Sequence, residues 1–315
     1  MLTYSKLAKM ESTFWSFTGL EVSEFDSLYE KIRPGYEESE KERLSRQDRM
    51  RKMGGGGKFK LPLRERLLML LVYYRLYATF TLVGFLFELD QSNVCRDIRY
   101  LETLVRRCIP IPKKLHKLTR RLRTIEEVEG FFPGFKAFID ATEQEIPRPK
   151  NAKKRKTHYS GKKRRHTVKT QLTVNKNGAI FHKTNHARGR RHDYDIFKSS
   201  HPSLPEKVTP VVDSGYQGIQ NDFPELNAMI PFKRKNPGRG HRGKKGEKLT
   251  PEQRSFNTEL SKERVVVEHT ISRLKKFNIF GTEFRNRLKN YHMMTDIVSG
   301  LVNFRIMGSK GLLLS

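Results

Sequence analysis

Apolar residues recur at helical spacing between residues 62 and 108, and three helices account for the pattern. Proline suits the first position of a helix, and hydroxyl or carboxylate side chains cap the exposed N–H groups of its first turn. The expected starts are Pro62, then Thr79 or Thr81 for a short helix near 82–87, then Asp90 or Ser92 for a helix over 93–107. This spacing is typical of helix-turn-helix packing, with a plain helical bundle as the alternative. In the first case the third helix would present Asn93, Arg96 and Arg99 to the major groove of DNA.

Residues 1–52 form a separate stretch with a charged, helical pattern. Apolar patches near Trp15 and over 25–32 precede Pro34-Gly35, which we expect to break the helix. The four glycines 54–57 predict a flexible joint, because glycine has the most backbone freedom to lose on ordering. The stretch is therefore either a mobile arm or a helical region packed through its apolar patches.

The apolar pattern changes to short strands from about residue 135 onward. The predicted strands are 135–142, 166–174, 179–183, 208–212 and 228–231, and a turn at 175–178 joins the second to the third. Helices are predicted at 193–200, from Pro251 to about 277, and from about 290 to 307. Strands and helices in mixed order imply an α/β or α+β core that follows the all-α N-terminal region.

The chain is strongly basic. Its 315 residues include 63 Lys and Arg against 34 Asp and Glu, and the formal charge of +29 implies a polyanionic partner, above all nucleic acid. Residues 148–169 carry many of these cations and no acid, and residues 233–248 form a second, glycine-rich basic tract. We expect both tracts to order on phosphate backbones, with a solvated surface as the alternative. The expected DNA contacts of the first tract include Lys162, Lys163, Arg164, Arg165, His166 and Lys169.

Cysteine usage and hydropathy favour the cytosol. Neither Cys95 nor Cys108 lies in a C-x-x-C pair, so neither a disulfide framework nor a cysteine-based zinc site is expected. The acidic N-terminus is no secretory signal, and the apolar stretch 67–89 carries Arg75 and Glu88, which fits a soluble core. We expect a cytoplasmic, nucleoid-associated protein with no membrane partner.

Three acids stand in contexts that favour one common site. Asp140 ends an apolar run, Asp213 ends another and opens a glycine turn, and Glu268 lies within a long helical pattern. Strand ends and the face of a packed helix can bring three carboxylates together, and their oxygens suit hard Mg²⁺ or Mn²⁺. Two such ions about 4 Å apart can activate water and stabilise the leaving oxygen of a phosphodiester.

Two neighbouring features extend this site. Arg264, Glu268 and Lys275 fall within about 40° of one another on a helix with 100° per residue, so one stripe would carry a metal ligand between cations for phosphates. An ordinary surface ion pair is the alternative. Tyr216 follows Asp213 on the glycine turn, and it either stacks on an unpaired base or packs within the turn.

Six motifs between residues 60 and 307 belong together. They are Asp140-Ala141-Thr142-Glu143, Ile146-Pro147-Arg148-Pro149, Tyr159-Ser160-Gly161-Lys162-Lys163, His166-Thr167-Val168-Lys169, Gly189-Arg190-Arg191-His192-Asp193 and Asp213-Ser214-Gly215-Tyr216-Gln217-Gly218. Together they resemble the DDE transposases of bacterial insertion sequences, in the insertion-sequence family five that is related to PIF/Harbinger elements. Arg264, Glu268 and Lys275 match the family's closing Tyr-x-x-Arg-x-x-x-Glu-x-x-x-x-x-x-Lys signature. Ser261 replaces its tyrosine, which puts a DNA contact in question but not the metal ligands.

The resemblance implies an RNase H-like catalytic core with Asp140 on the first strand, Asp213 after the fourth and Glu268 on a helix, as catalytic residues and metal ligands. It also implies a helix-turn-helix that binds terminal inverted repeats. The expected domains are a helical or flexible arm at 1–57, the helix-turn-helix at 58–112, a linker at 113–134, the catalytic domain at 135–308 and a tail at 309–315.

The implied activity is DNA transposition. Two Mg²⁺ or Mn²⁺ ions per site would support hydrolysis at the transposon end, and the freed 3′-hydroxyl would attack target DNA. Joining two double-stranded ends implies at least a homodimer on DNA. One rival is a domesticated regulator that binds DNA without cutting it, which the retained acidic triad argues against. The other is a stand-alone nuclease of the same core fold, which would cut without strand transfer.

Overall fold

The computed structural model describes residues 1–45, 59–234 and 248–309, which divide into two compact units: residues 1–111 with the segment from 273 onward, and residues 112–272. In chain order the helices are α1 (Tyr4–Leu7), α2 (Glu11–Thr18), α3 (Val22–Leu44), α4 (Leu63–Leu76), α5 (Phe80–Phe87), α6 (Gln91–Cys108), α7 (Pro112–Thr119), α8 (Ile125–Phe131), α9 (Ala152–His158), α10 (Asp193–Ser200), α11 (Ile219–Asp222), α12 (Pro251–Lys275), α13 (Asn278–Gly281) and α14 (Tyr291–Ser309). The strands are β1 (Lys136–Glu145), β2 (Tyr159–Ser160), β3 (Arg165–Asn175), β4 (Ile180–Lys183), β5 (Ala187–Arg188) and β6 (Thr209–Val211).

The N-terminal helices are packed into the first unit. Phe14, Phe25 and Ile32 are fully buried, so the packed alternative describes residues 1–45. The predicted break at Pro34-Gly35 is wrong, because α3 continues through both residues to Leu44. The proline costs the helix one hydrogen bond. Buried Ile32 before it and Glu40 after it, which accepts from the Tyr100 hydroxyl at 2.8 Å, hold the helix on both sides. Glycines 54–57 lie outside the described residues.

Helices α4, α5 and α6 form the predicted helix-turn-helix, and the prediction of three helices capped by Thr79 and Asp90 is confirmed, whereas Pro62 precedes α4 instead of being its first residue. Thr79 Oγ1 accepts from the N–H of Leu82 at the start of α5, and Asp90 Oδ1 accepts from that of Ser92 at the start of α6. The turn after α5 passes so close to the helix that position 84 must be glycine. A Cβ there would lie 2.5 Å from the backbone oxygen of Leu89. The α6 side chains Val94, Ile98, Leu101, Leu104 and Val105 are buried, whereas Asn93, Arg96 and Arg99 are exposed.

A buried cation ties this unit together. Arg66 of α4 is fully buried, and its guanidinium donates to Asp97 of α6 at 3.0 Å and to the Tyr36 hydroxyl of α3 at 3.2 Å. The guanidinium also lies 3.7 Å from the centroid of the Phe59 ring. A buried charge is tolerated only when it is paired, so these contacts fix the packing of three helices.

The second unit is built on a mixed sheet with the order β2-β3-β1-β6, and β4 and β5 also pair with β3. β1 and β3 are antiparallel from Ala137–Asn175 to Glu145–Thr167, and β1 and β6 are parallel. The predicted strand over 228–231 shrinks to a single parallel bridge between Met229 and Val211, and Pro231 has no N–H with which to extend it. The α/β, RNase H-like class predicted for this region is confirmed.

Helices cover both faces of this sheet. On one face, Ile139, Phe197, Val212 and Tyr216 belong to a buried apolar cluster. Toward the other face, α12 buries Val267, and its Glu263 forms an ion pair with Lys136 of β1 at 2.8 Å.

Two further expectations can be compared with the structure. Neither Cys95 nor Cys108 forms a disulfide within the residues that the structure describes. Among the described residues, no helix has the length and apolar character needed to cross a membrane.

Candidate active site

Asp140 and Asp213 lie side by side on neighbouring parallel strands, Asp140 in the middle of β1 and Asp213 just after the end of β6. The pairing of β1 with β6 runs from Lys136–Thr209 to Phe138–Val211, and each aspartate lies two residues beyond that last pair. The backbone of Asp213 is still extended there. Two residues are one full pleat repeat, so both side chains point to the face of the last pair, on strands about 4.8 Å apart.

The Asp140 carboxyl is costly to ionise. Burial raises its pKa from 3.8 to about 6, and the charges of Asp213 and Asp193 act in the same direction. The N–H of Ala141, which donates to Asp140 Oδ1 at 2.8 Å, and the guanidinium of Arg264 lower this pKa in part. A cation beside Asp140 would therefore be favoured, because it stabilises the charged form.

Asp213 is held by the turn that follows it. Its Oδ1 accepts from the N–H of Gly215 at 2.7 Å and so caps the short 3₁₀ turn Ser214–Tyr216. A Cβ at Gly215 would lie 2.9 Å from that oxygen, which accounts for the glycine. Among the residues that the structure describes, Asp213 Oδ2 accepts no hydrogen bond, so one oxygen remains for a ligand.

Tyr216 is part of the wall behind the aspartates. Its ring is fully buried, and its hydroxyl accepts from Gln171 Nε2 at 2.6 Å. Burial raises the pKa of Tyr216 well above its usual value, and the charges of Asp193, Asp140 and Asp213 add to that effect. This position matches the packed alternative for Tyr216.

Lys169 and Gln171 belong to the same wall, and sequence reasoning gave neither of them this role. The Lys169 ammonium pairs with Asp193 at 2.9 Å and with Glu143 at 3.6 Å, so it lies among carboxylates rather than on an open surface. The sequence signal that could have located these two side chains is the alternation of side-chain direction along β3. Because Val168 and Leu172 point to one face, Lys169 and Gln171 must point to the other.

From helix α12, Arg264 is the residue whose charge acts on Asp140. Arg264 is half-buried, its Nε is buried without a hydrogen-bond partner, and its charge acts on Asp140. Glu268, one turn further on, is exposed, and so is Lys275 in the last turn. Within residues 1–45, 59–234 and 248–309, no three His, Cys, Asp or Glu side chains form a group that could hold a metal ion. The structure thus joins Asp140 to Asp213 and leaves Glu268 apart.

Comparison with known proteins places the chain in a family. Residues 139–303 match the sequence model of the DDE superfamily endonucleases, and residues 59–111 match the helix-turn-helix of that superfamily. The chain is 31% identical over 263 residues to a probable transposase for insertion sequence element IS702 from Microchaete diplosiphon, with 82% of this chain and 86% of that protein covered. The chain belongs to the DDE superfamily endonucleases. The resemblance found in the sequence motifs is confirmed, and no solved structure matches the chain.

This DDE endonuclease carries the cations of its first basic tract largely on the surface. In the first tract, α9 is capped by Asn151, whose Oδ1 accepts from the N–H of Lys154 at 3.0 Å. Lys162, Lys163, Arg164 and Arg165 are exposed around the turn between β2 and β3, and His166 is half-buried. Residues 235–247 of the second tract lie outside the described residues. The cations of the turn 162–165 are therefore accessible to a polyanion, whereas Lys169 is paired with carboxylates.

Proposed function

We propose that this DDE superfamily endonuclease is a DNA transposase, in which Asp140, Asp213 and Glu268 are the catalytic carboxylates. The observation that carries the proposal is the position of Asp140 and Asp213 on neighbouring parallel strands, each two residues beyond the last pair, where the charge of Asp213 helps to raise the pKa of Asp140. Two aspartates so close together, in a chain with a formal charge of +29, suit chemistry on a phosphodiester. The relative from Microchaete diplosiphon, described as a probable transposase, supports the same activity.

The residues present fit a hard divalent cation. Asp140 and Asp213 offer oxygen donors only, and the cost of charging Asp140 is one that a cation reduces. We propose that both aspartates hold Mg²⁺ or Mn²⁺, two ions per site, and that Glu268 joins them when DNA binds. When bound, such ions activate water and neutralise charge on the phosphate.

The chain's own groups would position the DNA around this site. Arg264 and Lys275 would contact phosphates on either side of Glu268. Water attacks a phosphodiester at the transposon end, and the 3′-oxygen leaves with the electron pair of its bond and gains a proton. The freed 3′-hydroxyl then attacks a phosphodiester of target DNA and displaces the target's 3′-oxygen.

Binding is proposed to involve more than the active site. Asn93, Arg96 and Arg99 of α6 would read terminal inverted repeats, and the turn 162–165 would bind backbone phosphates. Synapsis of two ends would be carried out by a homodimer, in the cytoplasm at the nucleoid. The functional division at 1–57, 58–112, 113–134, 135–308 and 309–315 remains part of the proposal.

Single substitutions test the catalytic assignment. Asp140→Ala, Asp213→Ala and Glu268→Ala should each abolish Mg²⁺-dependent nicking of a duplex taken from the element's ends, while a gel-shift assay shows retained binding. Glu225→Gln removes an exposed acid of the same unit and should cleave like wild type. A variant of the three that cleaves normally would remove that carboxylate from the site.

The wild-type protein separates the rival functions. Binding without any cleavage in Mg²⁺ or Mn²⁺ would identify a non-catalytic regulator. Cleavage without strand transfer, and without preference for the element's ends, would identify a stand-alone nuclease.

A further inference from the structure

A second basic surface lies beside α6, and a segment distant in sequence builds it. A groove of about 690 Å³ in the first unit is lined by Arg99 and Glu102 of α6 and by residues between 285 and 293. The cations of that segment are Arg285, Arg287 and Lys289. Four cations therefore line the groove with a single acid.

Two tyrosines of the helix-turn-helix hold the segment in place. The Tyr77 hydroxyl accepts from the backbone N–H groups of Arg285 at 2.8 Å and of Asn286 at 3.2 Å. The Arg285 guanidinium lies 4.4 Å from the centroid of the Tyr77 ring, and Asn286 Nδ2 donates to the Tyr73 hydroxyl at 3.0 Å. The groove is therefore already formed, and little ordering would be needed for a ligand to bind.

The outer cations of the groove lack counter-charges. Arg287 and Lys289 are exposed, and among the residues described their side chains make no hydrogen bond or ion pair. Glu102 is turned inward, since its Oε1 accepts from the Tyr74 hydroxyl at 2.8 Å and burial raises its pKa. Repulsion among the cations is then best relieved by an external polyanion.

We propose that Arg99, Arg287 and Lys289 form a phosphate clamp, which grips the DNA backbone beside the major groove that α6 enters. The inference rests on the proposed DNA binding and extends its surface beyond the helix-turn-helix match at 59–111. The segment 285–289 lies instead within the match to the endonuclease, at 139–303. Backbone contacts of this kind fix the register of a recognition helix without reading sequence.

The salt dependence of DNA binding by the full-length protein tests the clamp. The probe is a fluorescent mixed-sequence duplex of about 30 base pairs, followed by anisotropy between 50 and 300 mM KCl. Arg287→Ala combined with Lys289→Ala removes two phosphate contacts, and each contact adds about 0.9 to the slope of log K against log salt. We expect the slope to fall by about 1.8 and the affinity at 150 mM to fall by about 30-fold.

Lys9→Ala combined with Lys41→Ala is the matched control, because it removes the same charge from exposed positions outside the groove. Circular dichroism should show unchanged folding of both double variants. The clamp is refuted if the groove variant keeps the wild-type slope, or if the control lowers the slope as much. Arg96→Ala separates this failure from that of the proposed function. If Arg96→Ala weakens binding and the groove variant does not, the clamp is wrong but the helix-turn-helix assignment stands. If neither variant weakens binding, the clamp and the proposed DNA binding by α6 are both wrong.

Discussion

Removing the charge of Asp140 should stabilise the protein while it destroys the activity. Burial raises the pKa of Asp140 from 3.8 to about 6. The folded state therefore binds a proton more tightly than the unfolded state. The stability that this proton confers is fully present below about pH 3.8 and is lost as pH rises through about 6. Well above pH 6 the buried carboxylate lowers the free energy of unfolding of the wild-type protein by the full amount. Asp140→Asn removes this charge and therefore the destabilisation.

The size of the gain follows from the same shift. One pKa unit corresponds to about 1.4 kcal/mol, so a rise of about two units costs roughly 3 kcal/mol at pH 8. At pH 5 linkage reduces the cost to roughly 1.5 kcal/mol. The asparagine keeps an oxygen that can accept from the N–H of Ala141. We therefore expect Asp140→Asn to unfold with a free energy about 3 kcal/mol higher at pH 8, and with half that gain at pH 5.

Urea unfolding followed by circular dichroism measures this difference. Trp15, the single tryptophan, lies in the other unit, so its fluorescence would not report on the site. Glu225→Gln serves as the control and should leave the free energy of unfolding unchanged. The reasoning would be refuted if Asp140→Asn had the wild-type free energy of unfolding at pH 8, or if its gain in that free energy did not shrink toward pH 5. Either result would show that burial does not raise the pKa of Asp140.

Three further changes have defined outcomes. Arg264→Leu removes a charge that lowers the pKa of Asp140, so in the metal-free protein the pH at which the free energy of urea unfolding falls should move to higher pH; an unmoved pH dependence would contradict the proximity of the two residues. Asp97→Ala leaves Arg66 buried and unpaired, and it should cost about 3–5 kcal/mol in urea unfolding followed by Trp15 fluorescence, whereas a cost below 1 kcal/mol would contradict that pairing. Gly189→Ala places a Cβ 2.7 Å from the carbonyl oxygen of His158, and it should cost about 1–3 kcal/mol in a thermal melt followed by circular dichroism; an unchanged melt would refute the close packing there.

The elements that local chemistry determines could be predicted from the sequence. The caps at Thr79 and Asp90 and the strand predicted over 166–174 are local signals, and the structure confirms them, although β3 is buried on both faces from Thr170 onward. The run from Val208 to Asp213 likewise predicted a strand that ends at a turn, and parallel pairing with β1 brings its last residue beside Asp140.

Contacts between distant parts of the chain could not be predicted in this way. The C-terminal helix α14 packs into the first unit, where Asp296 pairs with Arg106 at 2.6 Å and Arg305 pairs with Glu24 at 3.0 Å. No local pattern specifies a partner 190 or 281 residues away. The groove beside α6 was missed for the same reason, since Tyr77 and Arg285 meet only in the folded chain.

Helical spacing places Glu268 on one face with Arg264 but does not show which way that face points. Leu260, Val267 and Leu274 recur every seven residues and are buried, so they define the side of α12 that packs. At 100° per residue, Arg264 lies about 60° from that stripe and Glu268 about 100° from it. Spacing alone placed both residues on one face, but only the buried stripe shows which of them points inward. Arg264 is therefore the residue of the two that lies nearer the packed side of α12, and its charge acts on Asp140. Phosphates that draw Arg264 outward would leave its place beside Asp140 to a metal ion and to the Glu268 carboxylate, about 6 Å further along the helix.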